Sequence, residues 1–87
     1  MAKISIGMPV YNCERTVATS IQSLLNQSFH DFELIIADNS STDQTTNICR
    51  DFARIDSRIR YVKHSKNIGG DPNYLYVLNA AESDYFM

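Results

Sequence analysis

Glycine and proline are scarce in this sequence, with three glycines and two prolines among 87 residues. The glycines are Gly7, Gly69 and Gly70, and their positions fit neither the dinucleotide-binding pattern GxGxxG nor the phosphate-binding loop GxxxxGK. Their spacing therefore excludes the two glycine-rich phosphate sites that are common in α/β proteins.

The sequence also lacks a basic cluster and a long apolar run. Its net charge is -2, so we expect no nucleic-acid partner. No stretch approaches the roughly 18 apolar residues of a membrane span, and segment 1–10 lacks the apolar core of a secretory signal. The simplest expectation is a cytoplasmic protein with no membrane segment in this chain.

Cysteine is represented only by Cys13 and Cys49, which are far apart and do not form a CxxC pair. This spacing indicates neither a zinc site nor a redox motif. We expect two reduced thiols that either pack against other residues or have no functional role.

Strand-like and helix-like segments alternate along a chain whose length suits one domain, residues 1–87. Apolar patterns predict strands at 3–8, 34–37, 59–62 and 85–87, with Pro9 ending the first ladder. Helical stripes lie between them; their apolar residues are Val17, Ile21, Leu24 and Leu25, then Ile48, Phe52 and Ile55, then Leu75, Leu78 and Ala81. This order predicts an α/β fold of parallel βαβ repeats, half of a doubly wound sheet that stops after the start of its fourth strand.

Capping residues predict where the three helices begin. Asn12 is the predicted N-cap of the first helix, and Ser41 and Gln44 have capping-box spacing before the second. Asp71 is the predicted N-cap of the third, with Pro72 at its first helical position.

Asp38 stands at the carboxyl end of the second predicted strand, where open α/β sheets hold their ligands. Asn39 follows it, and Pro9, Val10 and Tyr11 follow the neighbouring strand. An aromatic face beside hydrogen-bonding side chains suits a nucleobase, because Tyr11 can stack and Asp38 can accept a base N–H. A structural interpretation competes, since Asp and Asn are common turn formers and Asp38 could cap the next turn.

A family resemblance is carried by segment 5–45, which reads SIGMPVYNCERTVATSIQSLLNQSFHDFELIIADNSSTDQT. It resembles the start of inverting family 2 glycosyltransferases with the GT-A (Rossmann-like) fold: a strand ending in PVYN, the helix SIQSLLNQSF, and a strand ending in an acid before S-T-D. Segment 66–86, KNIGGDPNYLYVLNAAESDYF, resembles the part of the family that leads to its metal-binding motif. The resemblance implies transfer of a sugar from a nucleotide-diphosphate sugar to a hydroxyl acceptor, with inversion.

The resemblance also implies roles for single positions. Pro9, Val10 and Tyr11 match the segment that lines the nucleoside pocket, and Asp38 matches the first acid, which helps hold the base or ribose. Asn39 departs from the commoner Asp-Asp pair. An amide can both donate and accept, so uridine, thymidine and guanosine diphosphate sugars all remain open as donors.

Further along, Asn67, Gly69 and Gly70 match a loop that borders the nucleotide in the family. For Asn67, turn formation is an equal alternative to nucleotide binding. Thr42 and Asp43 are expected to be helix-start residues rather than ligands.

The family's chemistry needs groups that this sequence does not supply. The resemblance implies a divalent metal, Mg or Mn, on a DxD motif, and a later carboxylate as base. Asp84 does not form that motif, because the second acidic position is Phe86, and His64 is expected to be a solvated loop residue. We expect no catalytic residue and no metal site in these 87 residues, weak nucleotide binding at best, and no turnover.

A second hypothesis is a complete small α/β nucleotide-binding or regulatory module without transferase activity. A receiver domain needs an acid pair after its first strand. The first strand here ends in MPVYN, which has no acid, and this counts against a receiver domain. If the chain is instead the truncated portion of a transferase, the uncovered apolar residues Tyr85, Phe86 and Met87 predict self-association through the sheet edge.

Overall fold

A computed structural model describes residues 4–27, 31–70, 72–73, 76 and 85–86. Within them, the strands are β1 (Ile4–Val10), β2 (Phe32–Asp38), β3 (Ile59–Lys63) and β4 (Tyr85–Phe86), and the helices are α1 (Val17–Leu25) and α2 (Thr45–Ile55). The strands form one parallel sheet in the order β3-β2-β1-β4. The predicted α/β fold of parallel βαβ repeats is confirmed.

One face of the sheet packs against both helices. The buried apolar residues of this core are Ile6, Val10, Phe32, Leu34, Ile36 and Ile59 from the sheet and Val17, Ile21 and Cys49 from the helices. Ile35 and Ala37 point to the opposite face of β2, and both are fully buried. A strand buried on both faces explains why its sequence is a continuous apolar run rather than an alternating one.

Pro9 lies inside β1 and pairs with Ala37, so the prediction that it ends the strand is wrong. The carbonyl of Val10 accepts a hydrogen bond from the Asn39 N–H and therefore faces β2. Successive backbone groups alternate between the two sides of a strand, so the missing N–H of Pro9 faces the β4 side. Among the described residues, β4 pairs with Ile4 and Ser5, so no described hydrogen bond of the ladder needs an N–H at Pro9.

The predicted N-caps of the first two helices are also wrong in detail. Helix α1 has Thr16 at its N-cap rather than Asn12, and α2 has Gln44 at its N-cap with no side-chain capping bond. The Ser41 hydroxyl instead accepts a hydrogen bond from the Asn12 N–H at 3.0 Å. Both capping candidates are thus used to join two loops, a contact between distant positions that local spacing does not reveal.

The third helix begins earlier than predicted. Gly70 is already helical, and the Gly69 carbonyl accepts the Asn73 N–H at 3.2 Å, so Gly69 is the capping position. Pro72 is helical, as predicted. Asp71 and the predicted stripe residues Leu75, Leu78 and Ala81 lie outside the described residues. In the described part of the chain, no helix has the length and apolar character needed to cross a membrane.

Candidate functional site

Three chain segments meet at the carboxyl edge of the sheet. Val10 at the end of β1 pairs with Asp38 at the end of β2. Beyond these ends, the Asn39 N–H donates to the Val10 carbonyl and the His64 N–H donates to the Asp38 carbonyl, both at 2.9 Å. The loops after β1, β2 and β3 therefore start side by side, as expected for a ligand site of an open parallel sheet.

The loops after β1 and β2 are fastened to each other by Asn12. Its N–H donates to the Ser41 hydroxyl, and its Oδ1 accepts the Thr42 N–H at 2.8 Å. Asn12 and Ser40 adopt left-handed backbone conformations, with φ of 45° and 66°. Such conformations cost about 1 kcal/mol or more in non-glycine residues and persist where surrounding contacts fix them.

The start of α2 is organised by Asp43, whose carboxylate accepts the Thr45 N–H at 2.9 Å and the Glu14 N–H at 3.3 Å. Thr45 in turn accepts the Cys13 N–H on its hydroxyl at 2.8 Å. These contacts confirm Asp43 as a helix-start residue, as the sequence predicts.

Asp38 is fully buried, and its carboxylate has three protein donors. Oδ1 accepts the Ser41 N–H at 2.9 Å, while Oδ2 accepts the Thr46 hydroxyl at 2.8 Å and the Tyr61 hydroxyl at 2.6 Å. The carboxylate thereby joins the end of β2 to the following turn, to α2 and to β3. We call Asp38, Ser41, Thr46 and Tyr61 the Asp38 cluster.

The hydrogen bonds within the Asp38 cluster determine its ionisation. Burial alone would raise the pKa of Asp38, but the bonds from Ser41, Tyr61 and Thr46 together outweigh it, so the pKa lies below its ordinary value. Burial raises the pKa of Tyr61, and its hydrogen bond to Asp38 raises it further. Asp38 is therefore an anion and Tyr61 a neutral donor at neutral pH.

Asn39 is buried beside Asp38 and turns its side chain toward the loop after β3. Its Oδ1 accepts the Ile68 N–H at 2.8 Å, and its Nδ2 donates to the Gly69 carbonyl at 3.1 Å. In the same loop, Asn67 Oδ1 accepts the Gly69 N–H at 2.8 Å, which is a turn-forming contact. Asn67 therefore makes a turn-forming contact, and the residue is also exposed to solvent.

The six residues predicted to bind nucleotide divide by exposure. Pro9, Tyr11 and Asn67 are exposed, with Tyr11 at 51%, whereas Val10, Asp38 and Asn39 are buried; all six lie at or beside the carboxyl edge. The structure thus brings the predicted residues together but gives them different surroundings. Only the exposed ones present their surface to a ligand without a rearrangement.

His64 is half-buried and packed, so the expectation of a solvated loop histidine is wrong. Its Nε2 lies 2.8 Å from Asn73 Oδ1, and its ring meets that of Tyr76 edge-on at 4.9 Å. The Asn73 amide donates to the Ala37 carbonyl at 3.0 Å, so its oxygen is the acceptor for a protonated Nε2 of His64. These contacts attach the third helix to the sheet.

Sequence reasoning missed Thr46, Tyr61 and Asn73 as residues of this region. Tyr61 pairs with Ile36, two positions before Asp38, so alternation along β3 places it on the same face as Asp38. That signal becomes readable only once the register of β2 and β3 is known. Asn73 offered no signal of comparable strength.

The described residues contain no group of three or more His, Cys, Asp or Glu side chains placed to hold a metal ion. Asp84, which does not form a DxD motif, lies outside them.

The two cysteines differ in burial. Both are free, with Cys13 half-buried and Cys49 fully buried in the core. Burial, followed by the negative charge of Asp38, raises the pKa of Cys49 to about 12.

Because the thiolate is the nucleophile, we expect iodoacetamide at pH 8 to modify Cys13 in the native protein and Cys49 only in denaturant. Mass spectrometry would check this, with Cys13→Ser as the control that shows no native labelling; rapid native labelling of Cys49 would contradict it.

A family profile and a similar protein sequence point to the same family for this chain. The sequence profile of glycosyl transferase family 2 matches residues 5–87. The putative glycosyltransferase EpsE of Bacillus subtilis (strain 168) is 39% identical over 84 residues, which cover 95% of this chain and 30% of EpsE.

Solved structures share the fold. The structure of S. aureus TarS 1-349 in complex with UDP superimposes with a TM-score of 0.88 and 28% identity, covering 98% of this chain and 26% of that one. The mannosyltransferase PcManGT from Pyrobaculum calidifontis, solved in complex with GDP-Man and Mn2+, has a TM-score of 0.83 at 19% identity, covering 92% of this chain and 24% of that one. The chain spans less than a third of the length of EpsE and of these two structures. The profile match over residues 5–87, together with the identity to EpsE, shows that the chain belongs to glycosyl transferase family 2.

Proposed function

We propose that this chain forms the nucleotide-binding edge of a glycosyltransferase that moves a sugar from a nucleotide-diphosphate sugar to a hydroxyl acceptor with inversion. The observation that carries the proposal is the meeting of three loops at one sheet edge, where Tyr11 is 51% exposed. Family membership and the complex of TarS with UDP support a uridine nucleotide as the first ligand to test.

The exposed and buried residues of this edge have different proposed roles. Tyr11 stacks on the base, with Pro9 beside it, and Asn67 lies on the loop that borders the nucleotide. Val10 and Asp38 support these groups from below, since both are buried. The buried amide of Asn39 belongs to the same supporting layer.

The remaining chemistry is proposed to lie in the full-length protein. A divalent metal, Mg or Mn, would neutralise charge on the leaving nucleotide diphosphate, and a carboxylate would act as base on the acceptor. The described residues do not offer a matching set of metal ligands. We propose that the 87-residue chain alone binds nucleotide weakly and transfers no sugar. A cytoplasmic location and self-association through the edge of β4 (Tyr85–Phe86) stay predictions.

Calorimetry with UDP, TDP and GDP tests the proposed binding edge. We expect wild-type protein to bind at least UDP, and Tyr11→Ala to weaken that binding about fivefold, because a stacked ring contributes about 1 kcal/mol. Ile55→Ala is the matched control, since Ile55 is 80% exposed at the far end of α2 and should leave the affinity unchanged.

Two results would contradict the proposal. Absence of binding to all three nucleotides would remove the nucleotide-binding role. Binding that is equally strong in Tyr11→Ala would place the nucleotide elsewhere on the molecule.

A further inference from the structure

The Asn39 side chain uses both of its polar atoms to hold the loop that follows β3. The residue is 4% exposed, its Oδ1 accepts the Ile68 N–H, and its Nδ2 donates to the Gly69 carbonyl. One end of the amide must accept while the other donates, and among side chains of this length only asparagine does both. Aspartate would keep an acceptor for Ile68 but would set a negative oxygen against the carbonyl of Gly69.

The segment that Asn39 holds is the place where the loop after β3 becomes the third helix. Gly69 has a φ of 89°, in the left-handed region that favours glycine, and its N–H is turned onto Asn67 Oδ1. Its carbonyl also accepts the Asn73 N–H, the first hydrogen bond of the third helix. Asn39 therefore connects the end of β2 to the point where the loop becomes a helix.

We propose that Asn39 is a positioning residue, which holds the loop 64–69 in a single arrangement over the carboxyl edge so that the loop, rather than the Asn39 amide, contacts the nucleotide. This inference rests on the proposed nucleotide-binding function. Direct hydrogen bonding of the amide to a base would have to use its remaining lone pair or N–H, and the residue is only 4% exposed. The choice of asparagine at this position thus sets the geometry of the site through the loop.

The test uses the 87-residue chain and follows two quantities in each variant. Amide hydrogen exchange without ligand reports how firmly Ile68 is held, and calorimetry gives the affinity for UDP. Asn39→Ala removes both hydrogen bonds, so we expect Ile68 protection and UDP affinity to fall together, each by about 3- to 10-fold. Asn39→Asp should lower both in the same direction, because it cannot donate to Gly69.

Two further variants separate the loop from the amide. Gly69→Ala leaves the Asn39 side chain intact but strains the loop at a positive φ, so it should also weaken UDP binding. Combining it with Asn39→Ala should then cost less than the sum of the two single losses, since both act on one loop. Asn47→Asp, the same chemical change on the exposed surface of α2, should alter neither quantity. Protection of the Ile35 amide in β2 verifies that each variant is folded.

The outcomes distinguish the inference from the function on which it rests. Weaker UDP binding with unchanged Ile68 protection in Asn39→Ala would overturn the inference in favour of a direct contact. Lost protection with unchanged UDP affinity would overturn it as well, because the loop would then not position the ligand. If wild-type protein binds none of UDP, TDP and GDP, the proposed function fails and the inference falls with it.

Discussion

Replacing Asp38 with alanine should lower the free energy of unfolding by about 3 kcal/mol. The change leaves the Ser41 N–H and the hydroxyls of Thr46 and Tyr61 without their shared acceptor in a fully buried place. Leaving buried donors unpaired costs about 1–3 kcal/mol, and losses within one hydrogen-bond network do not simply add. Urea denaturation followed by circular dichroism would measure the change.

Conservative variants test whether the Asp38 carboxylate itself is responsible for this stabilisation. Tyr61→Phe removes one donor and keeps the ring, so it should cost about 1 kcal/mol. Asp38→Asn keeps the shape but turns an amino group toward donors, so its cost should exceed that of Tyr61→Phe. A loss below about 1 kcal/mol in Asp38→Ala would show that water or a neighbouring side chain replaces the acceptor.

The same cluster predicts a dependence of stability on pH. The pKa of Asp38 is lower in the folded protein than in the unfolded chain, because its hydrogen bonds outweigh the effect of burial. The unfolded state therefore binds the proton more tightly, and the contribution of Asp38 is complete above the unfolded pKa of about 4. It is lost as the pH falls through the lower folded value. The stability difference between wild type and Asp38→Asn should accordingly shrink below about pH 4.

The structural role of Asp38 affects how a binding experiment is interpreted. A variant such as Asp38→Ala disturbs the turn at Ser41 and the contact with Tyr61, so loss of nucleotide binding in it would not establish a direct contact. Tyr11 is the better probe, because its exposed side chain lies at the same edge outside the Asp38 cluster.

The strands were predictable from sequence because their signals are local. The continuous apolar run of β2 follows directly from burial on both faces, and the change of period marks where each helix lies. Asp38 was placed correctly at a strand end, and one of its two interpretations, capping of the following turn, corresponds to the observed bond from the Ser41 N–H. Whether Asp38 also contributes to nucleotide binding stays a proposal.

The wrong and missed predictions share one physical cause, which is contact between residues that are distant in sequence. Asn12 and Ser41 are good capping residues by local preference, yet they bond to each other's loops, some thirty residues apart in sequence. Tyr61 and Thr46 reach Asp38 only because the register of β3 and the placement of α2 bring them there. The prediction for Pro9 is wrong because proline interrupts a sheet only where its missing N–H would face a partner strand.

Replacing Asn73 with alanine should lower the free energy of unfolding by about 2 kcal/mol. Asn73 is 2% exposed, donates to the Ala37 carbonyl and accepts from His64, so the change removes two hydrogen bonds and leaves a small cavity. Because these bonds attach the third helix to the sheet, amide exchange should accelerate most at Asn73 itself and at the neighbouring loop residue Ile68. Asn47→Ala, on the exposed surface of α2, is the matched control and should change stability by less than about 0.5 kcal/mol.

A second variant separates the two bonds of Asn73. His64→Ala removes the partner of the Asn73 oxygen and the edge-on contact with Tyr76 but leaves the bond to Ala37, so it should cost less than Asn73→Ala. If the two variants cost the same, the bond to the Ala37 carbonyl adds no more to stability than the contact of the His64 ring with Tyr76. If Asn73→Ala leaves exchange at Ile68 unchanged, the loop is held from the β2 side by Asn39 alone, which would make that single amide the determinant of loop position.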